Sequence, residues 1–160
     1  GPPWVGAGEI WSGEATGVGA KGEGIVIGVI DTGINWSHRA FSHLAKDGYV
    51  HTNPLGSYEG LCGQQEVLCN DKLIGVHDFV TDDTSTPDIE EENTTGLDNQ
   101  GHGSHVASIA AGNPASVNPN FGEMEVSGVA PRANIISYRV CFEGIPASED
   151  RAGCQYSATL

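Results

Sequence analysis

The sequence predicts an α/β fold, a mainly parallel sheet with helices on both faces, and three observations carry that expectation. First, Ile25-Val26-Ile27-Gly28-Val29-Ile30 is an apolar run without polar alternation, ended by Asp31-Thr32-Gly33. It is too short for a helix and reads as a strand buried on both faces. Second, Leu73 to Val80 and Asn134 to Val140 read as two further strands. Third, His102 to Ala111 reads as a helix between those strands, the order that a right-handed parallel crossover needs. Asp31-Thr32-Gly33 is turn chemistry, so a carboxylate stands where a buried strand emerges. That edge of an open α/β sheet is where ligands bind.

Length and charge bound the rest. The 160 residues suffice for one domain with a real core. The chain does not start with Met, and Gly1-Pro2-Pro3 reads as a processed or excised end. No signal-peptide core and no apolar run long enough to cross a bilayer is present, so no membrane partner is expected. Seven Lys and Arg against 21 Asp and Glu give a formal charge of −14, which argues against nucleic acid as a partner. Such charge means a solvated acidic surface or, less often, calcium sites. Low Lys and 23 Gly suit a loop-rich secreted protein. The four cysteines, Cys62, Cys69, Cys141 and Cys154, lack the close spacing of zinc sites. Of the three pairings open to them, the local one, Cys62 with Cys69 and Cys141 with Cys154, is expected, and it implies an oxidising compartment.

In chain order, residues 1–23 are Gly-rich and read as a docking arm with a helical turn, anchored by Trp4, Ile10 and Trp11. Asn35 to Ala45 suits a short helical segment, and Tyr49-Val50-His51 a weak strand. Residues 52–71 are a Gly- and Cys-bearing loop insertion. Residues 81–100 form a second, acidic insertion that supplies no core. A calcium loop counted from Asp82 meets Pro87 where an EF-hand requires Gly. In the helix from His102, an apolar stripe of Val106, Ile109 and Ala110 follows helical spacing, with Gly112 and Pro114 as stop signals. Residues 113–127 and 142–155 read as loops. Tyr156 to Leu160 begins another helix, with Ser157 as N-cap. Asn35-Trp36-Ser37 and Asn93-Thr94-Thr95 match the glycosylation acceptor pattern.

Chemistry concentrates in Asp98-Asn99-Gln100-Gly101-His102-Gly103-Ser104-His105-Val106-Ala107. Glycines on both sides of His102 allow close backbone approach and leave one face of the imidazole open. A histidine there carries protons near neutral pH, and a carboxylate beside it would fix its tautomer and stabilise its charged form. Asp31 is the expected partner.

Three ordered blocks resemble the subtilisin-like serine peptidases, the subtilases. Gly28-Val29-Ile30-Asp31-Thr32-Gly33 resembles the family's Asp motif. Gly101-His102-Gly103-Ser104-His105-Val106-Ala107 resembles its His motif, with Ser104 where Thr is usual. Gly128-Val129-Ala130-Pro131 before a strand resembles the next block, and Gln155-Tyr156-Ser157 the helix start after it. The order Asp, His, then Ser is the family's own. The resemblance implies a partial three-layer subtilisin-like fold, with residues 1–160 as the N-terminal portion of a peptidase catalytic domain of the larger secreted type, some members of which carry a protease-associated domain. It implies Asp31 as orienting carboxylate, His102 as general base and acid, and His105 as an inward, structural residue. It implies protein or peptide substrates and no cofactor for the chemistry. A structural calcium is a family feature, but Arg39-Ala40-Phe41 replaces a segment that often includes a calcium-binding Asp. The family's Gly-Thr-Ser block and oxyanion Asn have no counterpart in the sequence. The chain alone is therefore expected to be inactive, and to dimerise, swap elements or bind the missing C-terminal part.

Three rivals make different demands. An aspartic peptidase also uses Asp-Thr-Gly, but needs two carboxylates sharing a proton and hence a homodimer, and it leaves the His102 block without a role. A zinc site on His102 and His105 has i, i+3 spacing and lacks the intervening acid of H-E-x-x-H. A non-catalytic binding or structural fragment would leave strand edges and helix faces uncovered.

Overall fold

The three apolar runs become three parallel strands in the computed structural model, described here for residues 2–64, 67–80, 95–117, 124–142 and 153–154. Strand β1 is Val26–Asp31, β2 is the two-residue Glu59–Gly60, β3 is Leu73–Asp78 and β6 is Asn134–Arg139. They form one sheet in the order β1-β6-β3-β2, parallel throughout. Helix α2, His102–Ala111, follows β3 in the chain and precedes β6. Two antiparallel pairs, β4 (Ala115–Val117) with β5 (Met124–Val126) and β7 (Cys141–Phe142) with β8 (Gly153–Cys154), complete the strands. Both expected disulfides, Cys62–Cys69 and Cys141–Cys154, are present.

Burial explains which strand matters for which task. On β3 and β6, Leu73, Ile74, Val76 and Ile135 are fully buried. β1 lies at the sheet's edge and differs from the expectation. Val29 is buried in the core, but Ile30 is 58% exposed and Ile25 56%. An unbroken apolar run therefore does not signal burial on both faces here: among the described residues β1 pairs on one side only, and Ile30 on its second face is left half-exposed. On that second face the β6 ring Tyr138 stacks on His77 of β3, with centroids 5.0 Å apart, and Gly28 leaves room for it.

α2 reaches the sheet through its smallest residues. Gly103, Ala107 and Ala111 are its buried positions, while Val106 and Ile109, two of the expected stripe, are exposed. His105 is exposed too, contrary to the inward role expected of it. The physical reason is spacing: small side chains let the helix axis approach the strands, so the larger residues turn outward. The end of α2 is held by Gly128-Val129-Ala130, whose N–H groups donate to the carbonyls of Gly112, Ile109 and Ala110, each at 2.9 Å. These bonds satisfy carbonyls that a helix end leaves without partners.

Other local expectations are corrected. Asn35 to Ala45 contains one 3₁₀ turn, Arg39–Phe41, because carbonyls that a helix would use are taken by Asn113. Tyr49 to His51 contributes an isolated bridge, Leu44 to Val50, and no strand. The loop 52–71 yields β2, and 113–127 contains the β4–β5 pair. In the arm, α1 (Ala7–Ser12) forms and Trp11 docks through its indole N–H on the Val129 carbonyl, but Trp4 is 92% exposed. The acidic stretch 82–92, Asn93 and the helix start at Ser157 lie outside the described residues.

Candidate active site

The carboxyl end of β1 delivers Asp31 to the sheet rim, and the first residue of α2 delivers His102 to the same place. His102 Nδ1 lies 2.8 Å from Asp31 Oδ1 and 3.0 Å from Oδ2, across 71 positions of sequence. An ionised carboxylate only accepts, so Nδ1 carries the proton and Nε2 is left as the basic nitrogen. Asp31 is largely covered, its side chain 15% exposed, whereas that of His102 is 61% exposed. Nε2 has no hydrogen-bond partner among the described residues and belongs to the open side of the ring. Oδ1 also accepts from the Thr32 N–H at 2.7 Å, which fixes the carboxylate's orientation.

Both glycine-rich turns are explained by how closely the two segments pack. A Cβ on Gly103 would lie 2.3 Å from the Gly33 carbonyl oxygen, and one on Gly33, at φ +111°, would lie 2.5 Å from the Gly96 carbonyl oxygen. Such distances are below any real Cβ contact, so backbone passes directly against backbone. Thr32 joins the two. Its hydroxyl donates to Asp98 Oδ1 at 2.8 Å and accepts from the Gly103 N–H at 2.9 Å.

Asp98 opens the stretch that the sequence singles out, but its role went unassigned, because it also closes an acidic insertion read as contributing nothing to the core. Its carboxylate takes the N–H groups of Gly101 and Ser104, each at 2.7 Å, and of Gln100 at 3.2 Å, besides the Thr32 hydroxyl. Burial alone would raise its pKa, but the bonds from Ser104, Gly101 and Thr32 outweigh that and hold it below the usual carboxylate range. Asp98 thus closes the start of α2 and ties it to the Asp31 turn. An acid placed three residues before a helix-opening Gly-His-Gly was the available signal. Ser104, the departure from the family's Thr, accepts the Asn35 N–H at 2.9 Å through its hydroxyl.

At the same level of the sheet, Asp78 ends β3 as Asp31 ends β1. Arg139 of β6 lies between them, in register with both. Arg139 Nη1 donates to Asp78 Oδ2 at 2.9 Å, with side chains 8% and 1% exposed. Asp78 also accepts the Gly96 and Val80 N–H groups, so it holds the segment that carries Asp98.

His105, the second histidine of the zinc rival, makes no contact with His102 among the described hydrogen bonds and ring pairs. Among the described residues no three His, Cys, Asp or Glu side chains are grouped to hold a metal ion.

Comparison with known proteins identifies the family and the fold. The subtilase family profile matches residues 22–155. The subtilisin-like protease SBT2.1 of Arabidopsis thaliana is 36% identical over 130 residues, covering 76% of this chain and 15% of its own length. Its relative SBT4.6 is 40% identical over 124 residues, 75% of this chain and 15% of that protein. This chain therefore spans about one sixth or less of these relatives. The CspB protease of Clostridium perfringens shares the fold, with a TM-score of 0.51 at 21% identity, over 99% of this chain and 29% of that one. Ordered motifs, a parallel α/β sheet and these matches lead to one conclusion: the chain belongs to the subtilase family.

Proposed function

We propose that this chain supplies the proton-transfer half of a serine endopeptidase site. The observation that carries the reading is the bond pair from His102 Nδ1 to Asp31, with the opposite ring edge open. In this reading His102 Nε2 takes the proton of a serine hydroxyl as that oxygen attacks a peptide carbonyl, and then gives it to the leaving amine. Asp31 holds the ring's tautomer and stabilises the imidazolium. The protonic chemistry asks for no cofactor. The serine and its oxyanion donors come from sequence outside these 160 residues, since no Gly-Thr-Ser-like block occurs in them. The partners are accordingly peptide substrates and the remainder of a catalytic domain. The half-exposed edge strand β1 and the outward apolar residues of α2 suit such a partner better than solvent. Two disulfides support an extracellular or secretory setting.

The test is a fluorogenic peptidase assay on the purified chain and on a longer protein containing it. The chain alone should give no turnover. The longer protein should turn over substrate and lose that activity with His102→Ala. Turnover by the chain alone, abolished by the same substitution, would overturn the half-site reading.

A further inference from the structure

The turn after β1 and the start of α2 share one side chain. The first residues of a helix have N–H groups without partners in the helix itself. Those of His102 and Ser104 donate within their own segment, to Gln100 Oε1 at 2.9 Å and Asp98 Oδ2 at 2.7 Å. That of Gly103 donates to the Thr32 hydroxyl at 2.9 Å, the one acceptor of the three that comes from the Asp31 turn. Gly103 is buried, and among the described residues its N–H meets no other acceptor. Thr32 also donates its own N–H to Asp31 Oδ1 at 2.7 Å. One residue therefore holds the carboxylate by its backbone and, by its hydroxyl, the peptide next to His102. Asp98 sets the direction of that hydroxyl. An ionised carboxylate only accepts, so the Thr32 proton goes to Asp98 Oδ1 at 2.8 Å and an oxygen lone pair is left for Gly103. Backbone bonds from the Ile34 N–H to the Gly96 carbonyl at 3.1 Å and from the Asp98 N–H to the Ile34 carbonyl at 3.4 Å hold Asp98 beside the turn without that hydroxyl.

We propose that Thr32 is a positioning residue for the Asp31–His102 pair: its hydroxyl, turned by Asp98, anchors the Gly103 N–H and so sets the His102 imidazole against the carboxylate that the Thr32 N–H holds. The proposal rests on the reading of Asp31 and His102 as the working pair. The hydroxyl acts through the Gly103 peptide, not on the ring. Thr32→Val keeps the shape of the side chain and removes both its donor and its acceptor. It leaves the N–H on Asp31, and Asp98 keeps the N–H groups of Gly101, Gln100 and Ser104. The Gly103 N–H is then the donor that loses its partner. Thr32→Ser keeps the hydroxyl. A threonine that served stability alone would, on losing its hydroxyl, lower the melting temperature and leave the ring's proton where it is.

The test reads which ring nitrogen of neutral His102 carries the proton. Long-range ¹H–¹⁵N NMR on the ¹⁵N-histidine-labelled chain, at a pH where the ring is uncharged, reports this, and the His102 signals are assigned by their loss in His102→Ala. The wild-type chain should show mainly the Nδ1–H form, which the bonds to Asp31 require. Thr32→Val should lower the ratio of the Nδ1–H to the Nε2–H form roughly five- to tenfold, the size of effect that one hydrogen bond supplies. Thr32→Ser should show the wild-type ratio, and so should Val76→Ala, which destabilises through lost burial on β3. A wild-type ratio in Thr32→Val overturns the proposal, as does an equal fall in Thr32→Ser or in Val76→Ala. Should Thr32→Val fail to fold, Asp98→Asn takes its place, because an amide there no longer compels the hydroxyl to donate. The same direction of change is expected, and an unchanged ratio overturns the proposal. A folded wild-type chain in which the Nδ1–H form does not predominate would refute the Asp31–His102 pairing itself, and this inference with it.

Discussion

Asp31 and Asp78 end two parallel strands at the same level, on either side of the same residue, and do opposite work. Asp31 closes an edge strand and meets an imidazole whose side chain is 61% exposed. Asp78 closes an interior strand and meets a guanidinium that is 8% exposed. The residue type and register are shared, so the difference lies in the partner and in what covers it. A carboxylate paired with a titratable, open group is available for chemistry. One paired with a permanent, buried cation is committed to architecture.

The largest expected effect separates the two in activity. If the proposed function holds, Asp31→Asn in a longer protein containing this chain should lower kcat about ten-thousand-fold, the size of effect that the equivalent change has in a serine-histidine-aspartate enzyme. The chain's unfolding free energy should meanwhile shift little, because the substituted amide still accepts the Thr32 N–H. Steady-state kinetics and a urea melt on the same variant check both halves. A melt shifted as far as the activity would dissolve the contrast.

Asp78 should behave in reverse. Asp78→Asn breaks the buried bridge to Arg139 and should destabilise by up to about 3–5 kcal/mol, the range for removing one partner of such a pair. Replacing both partners, as in Asp78→Asn/Arg139→Met, should recover most of that in denaturant melts, since an ion pair this buried returns little net stability over apolar packing.

A second contrast, between histidines, extends the first. His102 is open, whereas His51 is 1% exposed, with Nε2 on the Asn113 side-chain oxygen at 2.8 Å and Nδ1 buried without a hydrogen-bond partner among the described residues. Burial pushes His51 down to about 4; the Asn113 bond and Asp47 oppose this, and Lys72 and His43 add to it. The ordinary value of 6.5 belongs to the unfolded chain, which therefore binds a proton that the native state refuses. Stability contributed by neutral His51 is present above pH 6.5 and is lost as pH falls towards 4, with no further loss below that. The loss should reach about 3 kcal/mol at the lower end. Melts of wild type and His51→Gln across this window should converge on acidification, and parallel curves would remove His51 from the account.

Much of this arrangement was legible in the sequence, and the reasons are local. Asp31 and His102 could be read because each sits in a glycine-marked turn whose chemistry depends on close backbone approach, as Gly33 and Gly103 demonstrate. The bounds of α2 and the cysteine pairing were likewise set by short-range signals. What escaped was decided by partners distant along the chain. Asp98 looked like one acid among many until Thr32, 66 positions away, was seen to donate to it. The Asp78–Arg139 bridge exists only through strand register. Val106 and Ile109 followed helical period, but period fixes which residues share a face, and the glycine and alanines of the opposite face decided which one approaches the sheet.

The smallest effect tests the two strands themselves. Ile30→Thr on β1 should change the chain's stability by no more than about 0.5 kcal/mol, the range of surface substitutions, because the side chain is 58% exposed. Val76→Ala on β3, at 0% exposure, should cost several times more, about 1–3 kcal/mol, through lost burial and a cavity. In a longer protein whose further segments cover β1, the Ile30→Thr value should rise towards that of a buried site. Paired denaturant melts of the chain and of the longer protein read this directly. An Ile30→Thr value equal in the two would mean that this face of β1 meets solvent in both, and the reading of the edge strand as a surface for the rest of the domain would fail.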